Sequence, residues 1–249
     1  KEDCSIKFLD TTDLDGYRVY ARVLNFIFMM ACDDLFKDVR VTVEHSLSGG
    51  LYCEVHIDRD LNEEDIKNIK CKMKEIIKNN YKIEKISTTR AEAISIFKEH
   101  KMIEKAELLR YKEYNDVKIY KCNNYIDHFY GYMLPSTGYI KTFDLKLYKN
   151  GVILFGPSKL DKNIPREFKP QPKLSNIYRE SEIWSNLIGV DKVLTLNKII
   201  ENKEYGDVIR TVEALHEKKL SQIADIIKEQ KKRIILIAAP SSSGKTSFL

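Results

Sequence analysis

Apolar residues at Val19, Val23, Phe26, Ile27 and Met30 recur at spacings of three and four, the period of one helix face, so the pattern predicts a long helix over residues 17–36. Residues 39–58, "VRVTVEHSLSGGLYCEVHID", alternate on both sides of Gly49-Gly50 and read as two strands of a hairpin. Asn62 is placed to cap the next helix, with Glu63, Glu64 and Asp65 in its first turn and an apolar stripe of Ile66, Ile69, Met73, Ile76 and Ile77. "YKIEKIST" is a strand pattern, and "TRAE" (residues 89–92) is a capping box that opens a helix running to His100. Strand patterns return at "VKIYKC", "YIDHFYGY", "IKTFDLKLYK" and "GVILFG", while "SIKFLD" near the start alternates like a lone strand.

From Pro157 to Pro172 four prolines break the pattern and indicate a linker or a long surface loop. Residues 175–203 read as a broken helix and residues 206–232 as one long amphipathic helix, with Val208, Val212, Leu215, Ile223 and Ile227 on its buried side. "IILIA" then reads as a buried strand. The expected fold is α+β for residues 13–156, an antiparallel sheet packed by the 17–36 and 62–80 helices. A linker and helical connector (157–232) follow, then the first strand and loop of a P-loop α/β domain (233–249). Residues 1–12 would be the end of a preceding module.

Composition narrows this only slightly. The 249 residues are 43% hydrophobic and 32% charged, with 42 basic and 37 acidic side chains for a net charge of +5. That balance suits a folded core under a solvated surface. It fits, without requiring, attraction to phosphate-rich partners. Five scattered cysteines without a CxxC pair indicate reduced thiols and a cytoplasmic protein. The most apolar stretch, residues 23–32, is about half a membrane span and contains Asn25, so no membrane association is expected.

The motif with defined chemistry is "APSSSGKT", residues 239–246. It matches the phosphate-binding pattern G-x-x-x-x-G-K-[ST] except that Ala239 stands at the first position. The amides of Ser241, Ser242, Ser243, Gly244 and Lys245 would curl around phosphate oxygens. The ammonium of Lys245 would meet the β/γ-phosphates, and the Thr246 hydroxyl would ligate Mg²⁺ accompanying ATP. A single parallel strand has no neighbours to cover its two faces. These residues therefore cannot form a domain alone or transfer a phosphoryl group, and the expectation is a longer parent protein. The tail itself is expected to be disordered or docked on the connector.

Two resemblances follow from longer runs. "IAAPSSSGKTSF" resembles the opening of the uridine kinase and phosphoribulokinase group. "GLYCEVHIDRDLNEEDIKNIKCKMKEIIKNNYKIEK", "RAEAISIFKE" and above all "LPSTGYIK" within "YIDHFYGYMLPSTGYIKTFDL" resemble the second additional domain of threonyl-tRNA synthetase. Some bacterial uridine kinase-like proteins join the two, and "EALHEKKLSQIADII" is similar to their connector. "SIKFLD" would then end a TGS domain. This resemblance implies an ATP-dependent nucleoside kinase acting on uridine or cytidine, preceded by a synthetase-like binding or regulatory module. A homo-oligomer is compatible with it.

In the synthetase family that domain hydrolyses mischarged tRNA through an HxxxH and a CxxxH motif. The resemblance puts Arg22 and Phe26 at the first pair and Phe129 and Met133 at the second, so every imidazole and thiol is missing. Phenylalanine and methionine neither bind Zn²⁺ well nor move protons. The implied module therefore keeps the shape without the hydrolysis and without zinc, and tRNA or another RNA remains a candidate partner. Arg22 is a candidate anion contact, against a solvent-exposed or Asp-paired arginine. Cys53 and His56, three apart on a strand, point to opposite faces. His128 lies near the old cleft without a visible partner. His45 and His100 read as surface residues and His216 as a structural one.

Overall fold

The computed structural model describes residues 6–244, and the chain divides into two compact units after Glu180. The first unit opens with α1 (Leu14–Leu35), followed by a hairpin of β1 (Arg40–Leu47) and β2 (Gly50–His56). Next come α2 (Glu63–Asn79), β3 (Glu84–Thr89), α3 (Arg90–Glu99), α4 (Ile103–Leu108), and the hairpins β4 (Asp116–Cys122)/β5 (Tyr125–His128) and β6 (Asp144–Tyr148)/β7 (Gly151–Phe155). These strands form two antiparallel sheets rather than the single sheet expected: a four-stranded one ordered β1-β2-β7-β6 and a three-stranded one ordered β3-β4-β5.

Helix α1 joins them. Its residues Val23, Phe26, Ile27 and Phe28 have no exposed surface. They share one apolar core with α2 (Ile66, Ile69, Met73, Ile76), with Cys53, Val152 and Leu154 of the larger sheet, and with Tyr120, Cys122 and Tyr125 of the smaller. The opposite face of the smaller sheet carries Val117, Ile119 and Ile126, which pack on Ala93, Phe97, Ala106 and Leu109. Alternate residues of one strand point to opposite faces, so β4 and β5 each serve two cores. The same holds for β7: Ile153 and Phe155 turn away from α1 to meet Leu47 and Tyr52. Burial on both faces explains why "GVILFG" is continuously apolar instead of alternating.

The polar signals at helix starts act as their chemistry requires. The Asn62 side chain accepts from the amides of Glu64 and Asp65, and Asp65 accepts from the Asn62 amide at 2.9 Å. Arg59 holds the Asp65 carboxylate with two hydrogen bonds of 2.6 and 2.7 Å, and this guanidinium keeps the Asp65 carboxyl below its ordinary range. Thr89 and Glu92 form the second capping box.

The "LPSTGYIK" run ties helices together. The Thr137 hydroxyl donates to the Ile76 carbonyl at 2.9 Å, and the Gly138 amide donates to Asn80 Oδ1 at 3.1 Å. A Cβ at Gly138 would lie 2.3 Å from that oxygen, so any larger residue would displace the Asn80 side chain from this bond. Just beyond, the buried Tyr20 hydroxyl accepts from the Lys141 and Thr142 amides and donates to the Thr142 carbonyl, each at 2.9 Å.

The proline-rich run is a surface loop held against the first unit. Arg166 donates to the carbonyls of Gly49 and Pro157 and lies 3.9 Å from the centre of the Tyr17 ring. Beyond it lie α5 (Pro172–Ile188), α6 (Val193–Glu201) and α7 (Tyr205–Glu229). His45, expected at the surface, stacks on Tyr178 of α5 at 3.7 Å.

Three expectations are corrected. Residues 6–10 form no strand; Ile6 and Phe8 are exposed and no sheet edge receives them. The α7 stripe is only half covered at Val208, Leu215, Ile223 and Ile227, and Val212 is exposed, because no sheet lies beneath it. Residues 234–238 are not a strand but an exposed extended segment, since an isolated strand lacks the partners its amides and carbonyls need. No helix among the described residues is long and apolar enough to cross a membrane.

Replacing Tyr20 with Phe strands the buried Thr142 amide and carbonyl and frees the Lys141 amide, while keeping the ring. Urea unfolding should show a loss of about 1–3 kcal/mol; an unchanged midpoint would show that the hydroxyl bonds are dispensable.

Candidate functional site

The four positions singled out on α1 and after β5 do come together. Phe26 is fully buried, with its ring edge-on to Tyr125 (centroids 5.2 Å) and to Phe129 (5.7 Å), both at 71°. Phe129 and Met133 are partly buried against the same core. The three rings thus pack edge to face where α1 meets β5 and the loop after it. Among the described residues Arg22 makes no ion pair with an Asp. Its Nη1 donates to the Tyr132 carbonyl at 3.2 Å, and its guanidinium lies directly beneath Gly131.

Gly131 has φ +91°, and a Cβ there would sit 2.7 Å from Arg22 Cζ. The Tyr120 hydroxyl donates to the Gly131 carbonyl at 2.5 Å. Arg22 and Tyr120 thus fix the loop from inside the fold. On its outer side Tyr130 and Tyr132 are 68% and 73% exposed. Lysines flank these rings: Lys112 lies 5.0 Å from the centroids of both Tyr114 and Tyr130, and Lys85 lies 4.5 Å from that of Tyr132. This aromatic and basic patch was missed in the sequence. Its signal was the alternation in "HFYGYM", with lysine-rich neighbouring strands.

The titratable groups nearby are inert or committed. Asp127 is buried and accepts from Lys105 Nζ at 2.5 Å, from the His128 amide at 2.7 Å and from the Tyr125 hydroxyl at 3.2 Å. Burial, with Asp127 adding to it, holds the Tyr125 phenol well above its ordinary range, so it stays protonated. Burial pushes the Cys53 thiol up to about 12 and the Cys122 thiol up to about 11, and raises Cys32 too; none is a thiolate near neutrality. Cys53 is buried while His56 faces Thr42 at 3.0 Å, on opposite sides of β2. Among the described residues no three His, Cys, Asp or Glu side chains gather as a metal site.

His128 does have partners. Its Nδ1 lies 2.7 Å from the Lys118 carbonyl, which can only accept, so Nδ1 carries the proton. Nε2 then accepts from Lys112 Nζ at 3.3 Å. Of the phosphate-loop positions, Ser241, Ser242, Ser243 and Gly244 form an exposed turn. Ser242 and Gly244 have φ of +57° and +76°, and the Ser243 hydroxyl donates to the Pro240 carbonyl at 2.7 Å. Lys245 and Thr246 lie outside the described residues.

Burial first, and then the Lys112 and Lys105 charges, lower the His128 pKa, against the hydrogen bond to Lys118. The unfolded chain therefore takes up this proton more readily than the native one. The stability tied to neutral His128 is complete above about pH 6.5 and falls as pH drops from there toward the native value. An NMR titration should place the His128 midpoint below that of an unfolded peptide; a midpoint at or above it would contradict the geometry.

No family model matches the chain. It is similar to threonine–tRNA ligases. With that of Caldanaerobacter subterraneus it shares 32% identity over 146 residues, 58% of this chain and 23% of that protein. With that of Acetivibrio thermocellus the identity is 30% over 146 residues, 58% of this chain and 23% of that protein. With that of Wolbachia pipientis it is 26% over 217 residues, 87% of this chain and 32% of that protein. The chain thus spans about a quarter to a third of the length of these relatives. Over about 58% of its length the chain is similar to part of these ligases, and its α+β unit is consistent with a threonyl-tRNA synthetase-like domain.

Proposed function

We propose that the synthetase-like unit is a binding module for the unpaired end of an RNA, tRNA foremost, and that it performs no hydrolysis. The observation that carries this reading is the pairing of a filled cleft with an exposed tyrosine and lysine surface on the same loop. Every base offers a π-face to Tyr130 and Tyr132, and the ammonium groups of Lys85 and Lys112, each over one of these rings, add positive charge that attracts the backbone phosphates. The threonine–tRNA ligases to which the chain is similar make tRNA the first RNA to test. Deacylation has no support here, because Phe26, Phe129 and Met133 cannot activate water.

Fluorescence titration of deacylated tRNA should show binding at low salt that weakens steeply as salt rises. Replacing both Tyr130 and Tyr132 by Ala should weaken it at least tenfold, given about 1–3 kcal/mol per stacked base. Absence of binding at low salt, or equal binding by the double variant, would refute the reading.

The run at residues 239–246 favours a second statement, about a longer protein: an ATP- and Mg²⁺-dependent nucleoside kinase for uridine or cytidine. Its support is the sequence of the loop and the turn at Ser241–Gly244, whose positive-φ residues curl the backbone as a phosphate cradle requires. In a protein carrying the remaining kinase elements, Lys245→Ala should abolish phosphoryl transfer from ATP to uridine. Undiminished transfer would remove Lys245 from that role.

A further inference from the structure

We propose that His128 and Lys112 clamp one backbone phosphate of the bound RNA, and that the clamp forms when His128 takes up a proton. It presupposes the RNA binding proposed above and adds to it a phosphate site and a pH dependence.

In the free protein the two groups satisfy each other. Nδ1 of His128 is fixed by the Lys118 carbonyl at 2.7 Å, so a second proton on the ring goes to Nε2. While neutral, Nε2 is an acceptor, and it occupies the Lys112 ammonium at 3.3 Å. Once protonated, it is a donor. Two cationic donors at that spacing repel, and a group with negative charge on two oxygens relieves the repulsion by accepting one bond from each. A phosphodiester is such a group.

The surroundings leave these donors uncancelled. Lys105 of α4 is held by Asp127 at 2.5 Å, and the Lys118 ammonium by Asp116 at 3.6 Å. Asp127, on the same strand as His128, spends its carboxylate on Lys105, the Tyr125 hydroxyl and the His128 amide. Lys112 meets His128 and the rings of Tyr114 and Tyr130, and among the described residues it pairs with no carboxylate. The lowered His128 pKa keeps the ring neutral until an anion stabilises the extra proton. The Tyr130 ring stands edge-on to the His128 ring at 4.7 Å, so a nucleotide stacked on Tyr130 carries its phosphate to the clamp. By linkage, the proton strengthens RNA binding by the same factor as RNA strengthens proton binding.

The test is an NMR titration of the His128 ring in the whole chain, alone and with the dinucleotide UpU, with uridine and with sulfate. Saturating UpU should raise the protonated fraction of the ring at least about threefold above its midpoint pH. Uridine, which has no phosphate, should leave it in place. Sulfate, which has no base for Tyr130, should need at least fivefold higher concentration for the same rise. Deacylated tRNA should bind at least about threefold more tightly at pH 5.5 than at pH 7.5, and His128→Gln, polar but unable to take the proton, should lose most of that ratio. An unmoved ring with UpU, an equal rise with uridine, sulfate acting at the same concentration as UpU, or an unchanged ratio in His128→Gln would overturn the proposal. Failure of tRNA to bind at either pH would remove the RNA binding and the clamp together, whereas binding indifferent to pH would remove the clamp alone. The ring titration uses the unaltered protein and stands without the variant.

Discussion

The burial of Phe26 governs both the architecture and the chemistry of the first unit. Helix α1 enters, with α2, the core that both sheets share, and Phe26 is where it meets the smaller one. The ring stands edge-on to two others, so it excludes water from the junction and sets the distance at which β5 can approach. Truncating such a side chain would cost about 3–5 kcal/mol. A polar, proton-moving residue at this position would need a hydrogen-bond partner that no neighbouring group offers. Tyr125 is committed to Asp127, and Arg22 to the Tyr132 carbonyl. A stable junction and a hydrolytic cleft are therefore competing uses of one position.

Helices and caps were legible in the sequence because their signals are local. The α1 stripe, the Asn62 and Thr89 boxes and the Gly49-Gly50 turn each depend on residues a few positions apart. The strands were found, but not their division into two sheets. Which strand joins which edge is decided by long-range pairing, such as β2 with β7, that no local pattern encodes. Short α4 was missed because its six residues carry no full apolar period. Residues 6–10 and 234–238 have strand-like patterns without strands, since alternation records a preference that only a neighbouring edge can satisfy.

Much the same holds for the site. Arg22, Phe26, Phe129 and Met133 were singled out by aligning family motifs; the structure packs Phe26 edge-on to Phe129 and sets Phe129 and Met133 against the same core. The role of Arg22 was not visible. A helical arginine near a cleft reads as an anion contact, and only the fold reveals a carbonyl and a glycine directly above it. Charge reading failed for His128 for a related reason: both its partners, the Lys118 carbonyl and the Lys112 ammonium, come from other segments.

The closed cleft and the exposed patch are two faces of one loop, so they are physically coupled. After β5 the chain turns Phe129 inward, Tyr130 outward, crosses Gly131 at positive φ, sends Tyr132 outward and returns Met133 to the core. Only glycine fits the crossing, because Arg22 occupies the place a Cβ would take. With Arg22 and Tyr120 holding the crossing from below, the tyrosines stand out without needing apolar cover of their own. Inward aromatics that fill the cleft anchor the loop, and the anchored loop presents outward aromatics at little further cost in conformational entropy. The packing that fills the space around Phe26 thus also holds the outward tyrosines in place.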